Sequence, residues 1–325
     1  MNKSDKILVA GAGGFIGGWL TRDLLKNGFN NIVAVDIKDI SNWYQIFDTV
    51  DNRVLDLRDT QNCIEVMNEV KVVYNLAADM GGMGFIENNK ALCMLSVLIN
   101  TNLINISKNQ NVKKYFFASS ACVYNQSLQS DAHNLGLKEV DAYPADPEDG
   151  YGWEKLFSER MCNHYYEDFG IEVRVGRFHN VYGPHGTFEG GREKAPAAIC
   201  RKVAQAVLSG DHNIEVWGDG EQTRSFTYID DTIHGINLLM NGDYALPVNI
   251  GSSEEVSINQ LIDIVEGIAG IKVKRKYLLE APKGVRGRNS DNTLIKDIYN
   301  WVPSITLEDG LTKTYSWVFK ELSSN

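Results

Sequence analysis

The chain has 325 residues, 43% hydrophobic and 10% aromatic, enough apolar side chain to bury a sizeable core in one large domain or two. Its net charge of −10, from 32 basic and 42 acidic residues, argues against nucleic-acid or anionic-membrane partners, although a local Arg and Lys cluster could still hold an anionic ligand. The five cysteines (Cys63, Cys93, Cys122, Cys162, Cys200) show no CxxC spacing, which reads as a reduced, cytoplasmic chain with no metal site. Lys3 and Lys6 faintly imitate a signal peptide, but the glycines that follow make a poor apolar segment. No uncharged apolar run approaches the ~18 residues of a membrane span.

Lys6-Ile-Leu-Val-Ala10 is predicted as the first strand, and a helix follows over 17–27. Asn31-Ile-Val-Ala-Val35, Arg53-Val-Leu55, Val72-Val-Tyr-Asn-Leu76 and Lys113-Lys-Tyr-Phe-Phe117 are further strands, with helices between them over 60–69 and 90–108. A helix over 151–169 and a strand over 171–175 complete the alternation. Strands alternating with helices imply an α/β fold, a Rossmann-type doubly wound parallel sheet. Past Gly176 the elements shorten between glycine-rich loops. The expected division is a dinucleotide-binding domain over 1–176 and a smaller, mainly substrate-binding domain over 177–325, with segments returning to the sheet.

Gly11-Ala-Gly13-Gly14-Phe15-Ile16-Gly17 follows a strand and opens a helix. Glycines there permit a tight turn and close approach of backbone to a pyrophosphate at the helix N-terminus. Asp36, at the end of the second strand, would hydrogen-bond the ribose hydroxyls and repel the extra phosphate of NADP, so NAD is the expected cofactor. Tyr151-Gly-Trp-Glu-Lys155 places a phenol and an ammonium at i and i+4 on one helix face, where the cation is expected to lower the phenol pKa for proton transfer. Ala118-Ser-Ser-Ala-Cys-Val-Tyr124 lies upstream, with Ser119 and Ser120 both candidates to bond the same substrate oxygen. Ala78-Asp-Met-Gly-Gly-Met-Gly-Phe-Ile-Glu-Asn-Asn-Lys-Ala91 is expected to be an irregular loop past a strand end, because three glycines oppose regular structure.

That last string closely resembles the sugar-nucleotide loop of the GDP-mannose 3,5-epimerases, an NAD-dependent branch of the extended short-chain dehydrogenase/reductase family. The likeness continues through Gly176-Arg-Phe-His-Asn-Val-Tyr-Gly-Pro184, Gly190-Gly-Arg-Glu-Lys-Ala-Pro196, Trp217-Gly-Asp-Gly-Glu-Gln-Thr-Arg-Ser-Phe226 and Gly284-Val-Arg-Gly-Arg-Asn-Ser-Asp-Asn292. It implies inversion of C3 and C5 of GDP-mannose through a 4-keto sugar, with Ser120, Tyr151 and Lys155 serving the hydride step and Cys122 and Lys194 as acid/base groups. A ketone at C4 acidifies both neighbouring C–H bonds, and inversion needs a titratable group on each ring face. A thiol near pKa 8.5 and a partly buried amine are chemically suited to that work. Each residue also has an ordinary reading, Cys122 as a buried apolar side chain and Lys194 as a loop charge.

By family position, Gly81, Gly82, Met83, Asn180, Glu193, Lys202, Gln222, Arg224 and Arg286 would contact the substrate, along with Ser120, Cys122 and Lys194. Arg288 is equally suited to a diphosphate, or could be a surface charge pairing with Asp291. Asp56 resembles the family residue near the adenine. The resemblance also implies a homodimer through the helices over 90–108 and 151–169. Departures are Asn125-Gln126 after Tyr124, Gly150 in place of an alanine, and Trp153 inside the Tyr/Lys spacing. A GDP-sugar 4,6-dehydratase or 4-epimerase is the alternative enzyme, and a non-catalytic NAD-binding regulator the alternative of another class.

Overall fold

The structure, a computed structural model, describes residues 1–133 and 135–324. The first half supplies β1 (Lys6–Ala10), α1 (Phe15–Lys26), β2 (Ile32–Asp36), β3 (Asp51–Val54), α2 (Thr60–Val66), β4 (Val70–Asn75), α3 (Met83–Asn88), α4 (Lys90–Met94), α5 (Ser96–Asn109), β5 (Lys114–Ser120), α6 (Asp149–Phe169) and β6 (Glu172–Phe178). The second half supplies β7 (Val181–Tyr182), α7 (Ala195–Ser209), β8 (Asn213–Trp217), β9 (Thr223–Ser225), β10 (Thr227–Tyr228), α8 (Ile229–Asn241), β11 (Val248–Ile250), β12 (Glu255–Ser257), α9 (Ile258–Ala269), β13 (Lys274–Leu278), β14 (Gly287–Arg288), α10 (Thr293–Tyr299) and α11 (Leu307–Ser324).

Seven strands form one parallel sheet in the order β11-β6-β5-β4-β1-β2-β3. Side chains alternate between its faces, so the inner strands β6, β5, β4, β1 and β2 feed two cores. Ile7, Val9, Val72, Tyr74 and Phe116 face α1 and α8, packing with Leu20, Leu24, Ile236 and Leu239. Leu8, Ala10, Val33, Val73, Tyr115 and Phe117 face α2, α5 and α6, packing with Cys63, Leu103, Ile104 and Cys162. Burial on both faces explains the uninterrupted apolar strands. The doubly wound sheet expected from the sequence is the one observed, and its chain order reverses between β1 and β4, where a crevice opens at the strand C-termini.

β11 lies beyond residue 177 in the chain yet pairs with β6, Val248 opposite Gly176. The small sheets β12-β9-β14 and β13-β8 stand apart from the main sheet, and α7, α9 and α11 pack on one another.

Two predicted elements differ. The glycine-rich stretch is not wholly irregular: Gly82 caps α3 and Gly84 lies within it. Gly84 fits there because a Cβ would come to 3.1 Å from the Trp217 ring, so packing overrides propensity. The helix predicted over 90–108 is interrupted at Leu95. Lys90–Asn109 does have the length and mean hydropathy, 1.2, of a membrane-spanning stretch, but α4 and α5 both pack against α6.

Candidate active site

The dinucleotide loop is shaped by contacts that exclude side chains. Gly11 has φ +84°, and a Cβ there would lie 2.9 Å from the Ala77 nitrogen; one on Gly17 would lie 2.1 Å from the Gly11 carbonyl oxygen. The loop therefore presses on the end of β4 and on its own first turn, leaving bare backbone at the start of α1. Asp36 ends β2, its Oδ1 accepting from the Lys38 amide at 3.0 Å. Two neighbours escaped the sequence reading. The Trp43 ring covers Gly13, where a Cβ would sit 2.6 Å from Nε1, and Lys38 Nζ donates to the Gly13 carbonyl at 3.2 Å. Asp56 is held bidentate by Arg58 at 2.7–3.0 Å.

The second group gathers at the ends of β5 and α6. Ser120 lies close enough to the Tyr151 phenol to favour its ionised form, and its Oγ accepts from the Cys122 amide at 3.2 Å. Ser119, the rival, is instead buried and donates to Glu159, which also pairs with Arg177 at 2.7 Å. Geometry therefore places Ser120, not Ser119, beside the phenol. Lys155 is buried, with Nζ 5.6 Å from the Tyr151 ring centroid and 3.4 Å from Glu154 Oε2. The expected lowering of the Tyr151 pKa is not found. Burial pushes the phenol well up, with the nearby Cys122 and Glu154 adding to it. Desolvation outweighs a lysine whose charge is shared with a buried carboxylate.

Cys122 is 8% exposed and lies within electrostatic range of Lys194, which occupies the N-cap position of α7. Burial raises the thiol and lowers the ammonium, moving the two groups toward their neutral forms; Arg288 opposes the rise at Cys122, and Cys122 opposes the fall at Lys194. A clasp positions Lys194. Arg192 pairs with Asp79 at 2.6 Å and lies 3.7 Å over the Phe85 ring, while the Gly82 amide donates to the Arg192 carbonyl at 3.0 Å. Gly81 and Gly82 are thus required by the protein's own 192–194 backbone: a Cβ on Gly82 would meet the Glu193 carbonyl oxygen at 2.5 Å, and one on Gly81 the Arg192 Cα at 3.2 Å. Met83 packs on Gly284, tying in the arginine-bearing loop.

The cationic residues divide. Arg288 is neither a surface charge nor a partner of Asp291, correcting that alternative. It is 4% exposed, and its guanidinium reaches Glu148 at 2.7 Å, Gln129 at 2.6 Å and the Cys122 sulfur at 3.5 Å. Arg286 lies outside on Asp219 at 2.9 Å. Arg224 spends its terminal nitrogens on the carbonyls of Thr223, Lys283 and Val285, and burial followed by Arg288 pushes its pKa down to about 10. Two buried guanidiniums, Arg224 and Arg288, share the one Glu148 carboxylate, which leaves surplus positive charge for an anionic ligand. Gln222 Oε1 is buried and without a partner among the described residues. Lys202 Nζ donates to the Glu215 carbonyl, Glu193 pairs with Arg201 at 3.0 Å, and Asn180, at φ +43°, donates to the Ser225 carbonyl.

Comparison with known proteins places this architecture. The profile of the NAD dependent epimerase/dehydratase family matches residues 7–251. GDP-mannose 3,5-epimerase 1 of Oryza sativa subsp. indica is 48% identical over 98% of this chain and 82% of its own length. The chain belongs to the NAD dependent epimerase/dehydratase family, among the GDP-mannose 3,5-epimerases. The Arabidopsis thaliana GDP-mannose 3,5-epimerase is 46% identical over 98% of this chain and 83% of its own. Within the wider family, the UDP-glucuronic acid 4-epimerase of Bacillus cereus, solved with UDP-glucuronic acid and NAD, superposes with TM-score 0.82 at 27% identity, covering 98% of this chain and 99% of that one. The family resemblance read from the motifs is borne out, and NAD is the family's cofactor.

Proposed function

We propose that this protein inverts C3 and C5 of GDP-mannose through a transient 4-keto sugar, giving GDP-L-galactose, with GDP-L-gulose arising from inversion at C5 alone. The observation that carries this reading is that Cys122, packed beside Tyr151, lies within electrostatic range of Lys194. A 4-epimerase needs neither Cys122 nor Lys194, because it moves no proton at C3 or C5.

The dinucleotide fits the Gly11–Gly17 cradle, where bare backbone at the start of α1 suits a pyrophosphate, with Asp36 suited to the ribose. When bound, it supplies a hydride acceptor at C4 and the same hydride back at the end of the cycle. Tyr151, aligned by Ser120, takes the C4 hydroxyl proton as the ketone forms and returns it afterwards. The Lys155 ammonium, one helical turn from Tyr151, would favour the phenolate that burial alone opposes. The ketone acidifies C5–H and C3–H. Cys122 and Lys194 then remove a proton on one face and deliver one on the other, at C5 and then at C3. Arg224 and Arg286 offer the cationic surroundings suited to the diphosphate, with Arg288 turned toward Cys122 instead, and Gln222 offers an unspent acceptor.

The proposal includes a homodimer. Met94, Leu95 and Leu98 on the α4–α5 stretch and Trp153 and Phe157 on α6 expose 42–54% of their surface on packed neighbouring helices, an apolar face suited to a second copy. Light scattering at twice the 36.3 kDa chain mass is the expected result. A cytoplasmic location, with neither nucleic acid nor membrane as partner, is supported by the −10 charge and five free, buried cysteines. Incubation with GDP-mannose followed by acid release and chromatography of the sugar tests the activity. Galactose, with or without gulose, is expected; a 4-keto-6-deoxy sugar or a 4-epimer alone would point to the alternative enzymes.

A further inference from the structure

Glu148 stands at the N-cap of α6, three residues before Tyr151, yet its side chain makes no capping bond to the helix. It is 4% exposed, and its carboxylate turns inward to Arg288 at 2.7 Å. It also interacts with the Cys122 thiol, and its own amide donates to the Cys122 carbonyl at 2.9 Å. Arg288 Nη1 completes a triangle by reaching the Cys122 sulfur at 3.5 Å. An acid that forgoes the helix N-terminus for a buried cation beside a reactive sulfur is placed to govern that sulfur.

We propose that Glu148 is a positioning residue for Cys122: its carboxylate clamps the Arg288 guanidinium against the sulfur and cancels that cation's charge, so that Cys122 rests as a neutral thiol that gives a proton first and, as the thiolate so formed, takes one at the next carbon. The purpose of this arrangement rests on the epimerase reading above. As acid, the thiol gives its proton to the deprotonated sugar carbon, whose electron pair forms the new C–H bond, and the sulfur is left a thiolate bonded to Arg288. As base, the thiolate takes a sugar proton and the C–H electrons pass toward the C4 oxygen. An isolated Arg288 would hold the sulfur as a thiolate, leaving it a base only. The other groups facing Cys122 are Lys194 at the start of α7, Ser120 at the end of β5, Tyr151 on α6, Cys93 on α4 and Arg224 on β9. Arg288 stabilises the thiolate and Glu148 opposes it, so the two have opposite signs.

The test is an ultraviolet titration of the thiolate at ~240 nm in the NAD-loaded protein without substrate, each spectrum differenced against the matching Cys122→Ser protein. The wild-type midpoint is expected above the ordinary ~8.5 of a free thiol. Glu148→Gln should lower it by about one unit or more, and Arg288→Gln should raise it by a similar amount, following the 1–3 units typical of a close opposite charge. A structural role alone would not send two neighbouring variants in opposite directions. Thermal melting shows which variants fold, and either shift alone decides its sign. A wild-type midpoint well below ~8, a Glu148→Gln midpoint that stays or rises, or an Arg288→Gln midpoint that stays or falls would each overturn the proposal. Because no turnover is read, failure of the epimerase reading would show separately, in the sugar product.

Discussion

Gly82→Ala isolates what the glycine loop does for Lys194. Gly82 sits at φ −69° and ψ 177°, ordinary backbone for alanine, so the substitution adds no conformational strain. Its new methyl would lie 2.5 Å from the Glu193 carbonyl oxygen and 3.4 Å from the Glu193 carbonyl carbon, with Lys194 Cα at 4.0 Å. Relief to an ordinary contact of ~3.4 Å needs a displacement of roughly 0.9 Å, starting from that 2.5 Å approach. Gly82 cannot retreat freely, because its amide is bonded to the Arg192 carbonyl and its carbonyl accepts from Phe85 and Ile86. The 192–194 segment must therefore shift, at about 1–3 kcal/mol of overpacking. Misplacement of a reacting group by ~1 Å typically costs on the order of 100-fold in rate. We expect epimerised sugar to form about 10–100-fold more slowly, while C4 oxidation, read as single-turnover NADH absorbance on adding GDP-mannose, persists. Epimerisation within about twofold of wild type, or oxidation falling in parallel with product, would refute the reasoning.

Tyr151→Phe should bind NAD and GDP-mannose but turn over at only a small fraction of the wild-type rate, since only the proton acceptor is missing; calorimetry and product assays check both halves. Cys122→Ala and Lys194→Ala should each abolish epimerised sugar while still producing NADH on substrate addition, because C4 oxidation uses neither group. Asp36→Ala should weaken NAD about 10–100-fold, as expected for lost hydrogen bonds to a charged group, and narrow the discrimination against NADP, measured by reactivating stripped protein with each nucleotide. Burial pushes buried His179 down to about 3 from 6.5, with Nε2 on Asn249 Oδ1 at 3.0 Å. A lowered folded pKa contributes stability that is present above about 6.5 and is lost as pH falls toward 3. Urea melts should show a loss on the order of a few kcal/mol across that window, flattened in His179→Phe.

The sheet was legible because its inner strands are buried on both faces and so read as continuous apolar runs, bounded by glycines that mark the turns, whereas the edge strand β3 is polar and half-exposed. The Gly11–Gly17 loop and Asp36 were legible for a related reason, since close backbone approach admits no other residue type at Gly17. The environment of Cys122 was not. Glu148 lies in the acidic run Asp146-Pro-Glu-Asp149, where nothing local separates a buried carboxylate from a solvated one. Its role depends on Arg288, distant in the chain but brought alongside by β14 pairing with β9. The phenol pKa was misjudged for a similar reason: i and i+4 spacing gives the lysine's direction but says nothing of burial or of the Glu154 contact. Arg192 and Phe85 stood in recognised motifs, yet their stacking depends on two loops meeting.

The central claim, that proton exchange occurs at both carbons flanking a transient ketone, is tested most directly by running the reaction on GDP-mannose in heavy water and locating deuterium by NMR. The account predicts solvent deuterium at both C3 and C5 of the product, with C4 keeping its original hydrogen. Unlabelled C3 and C5 after full turnover would contradict it.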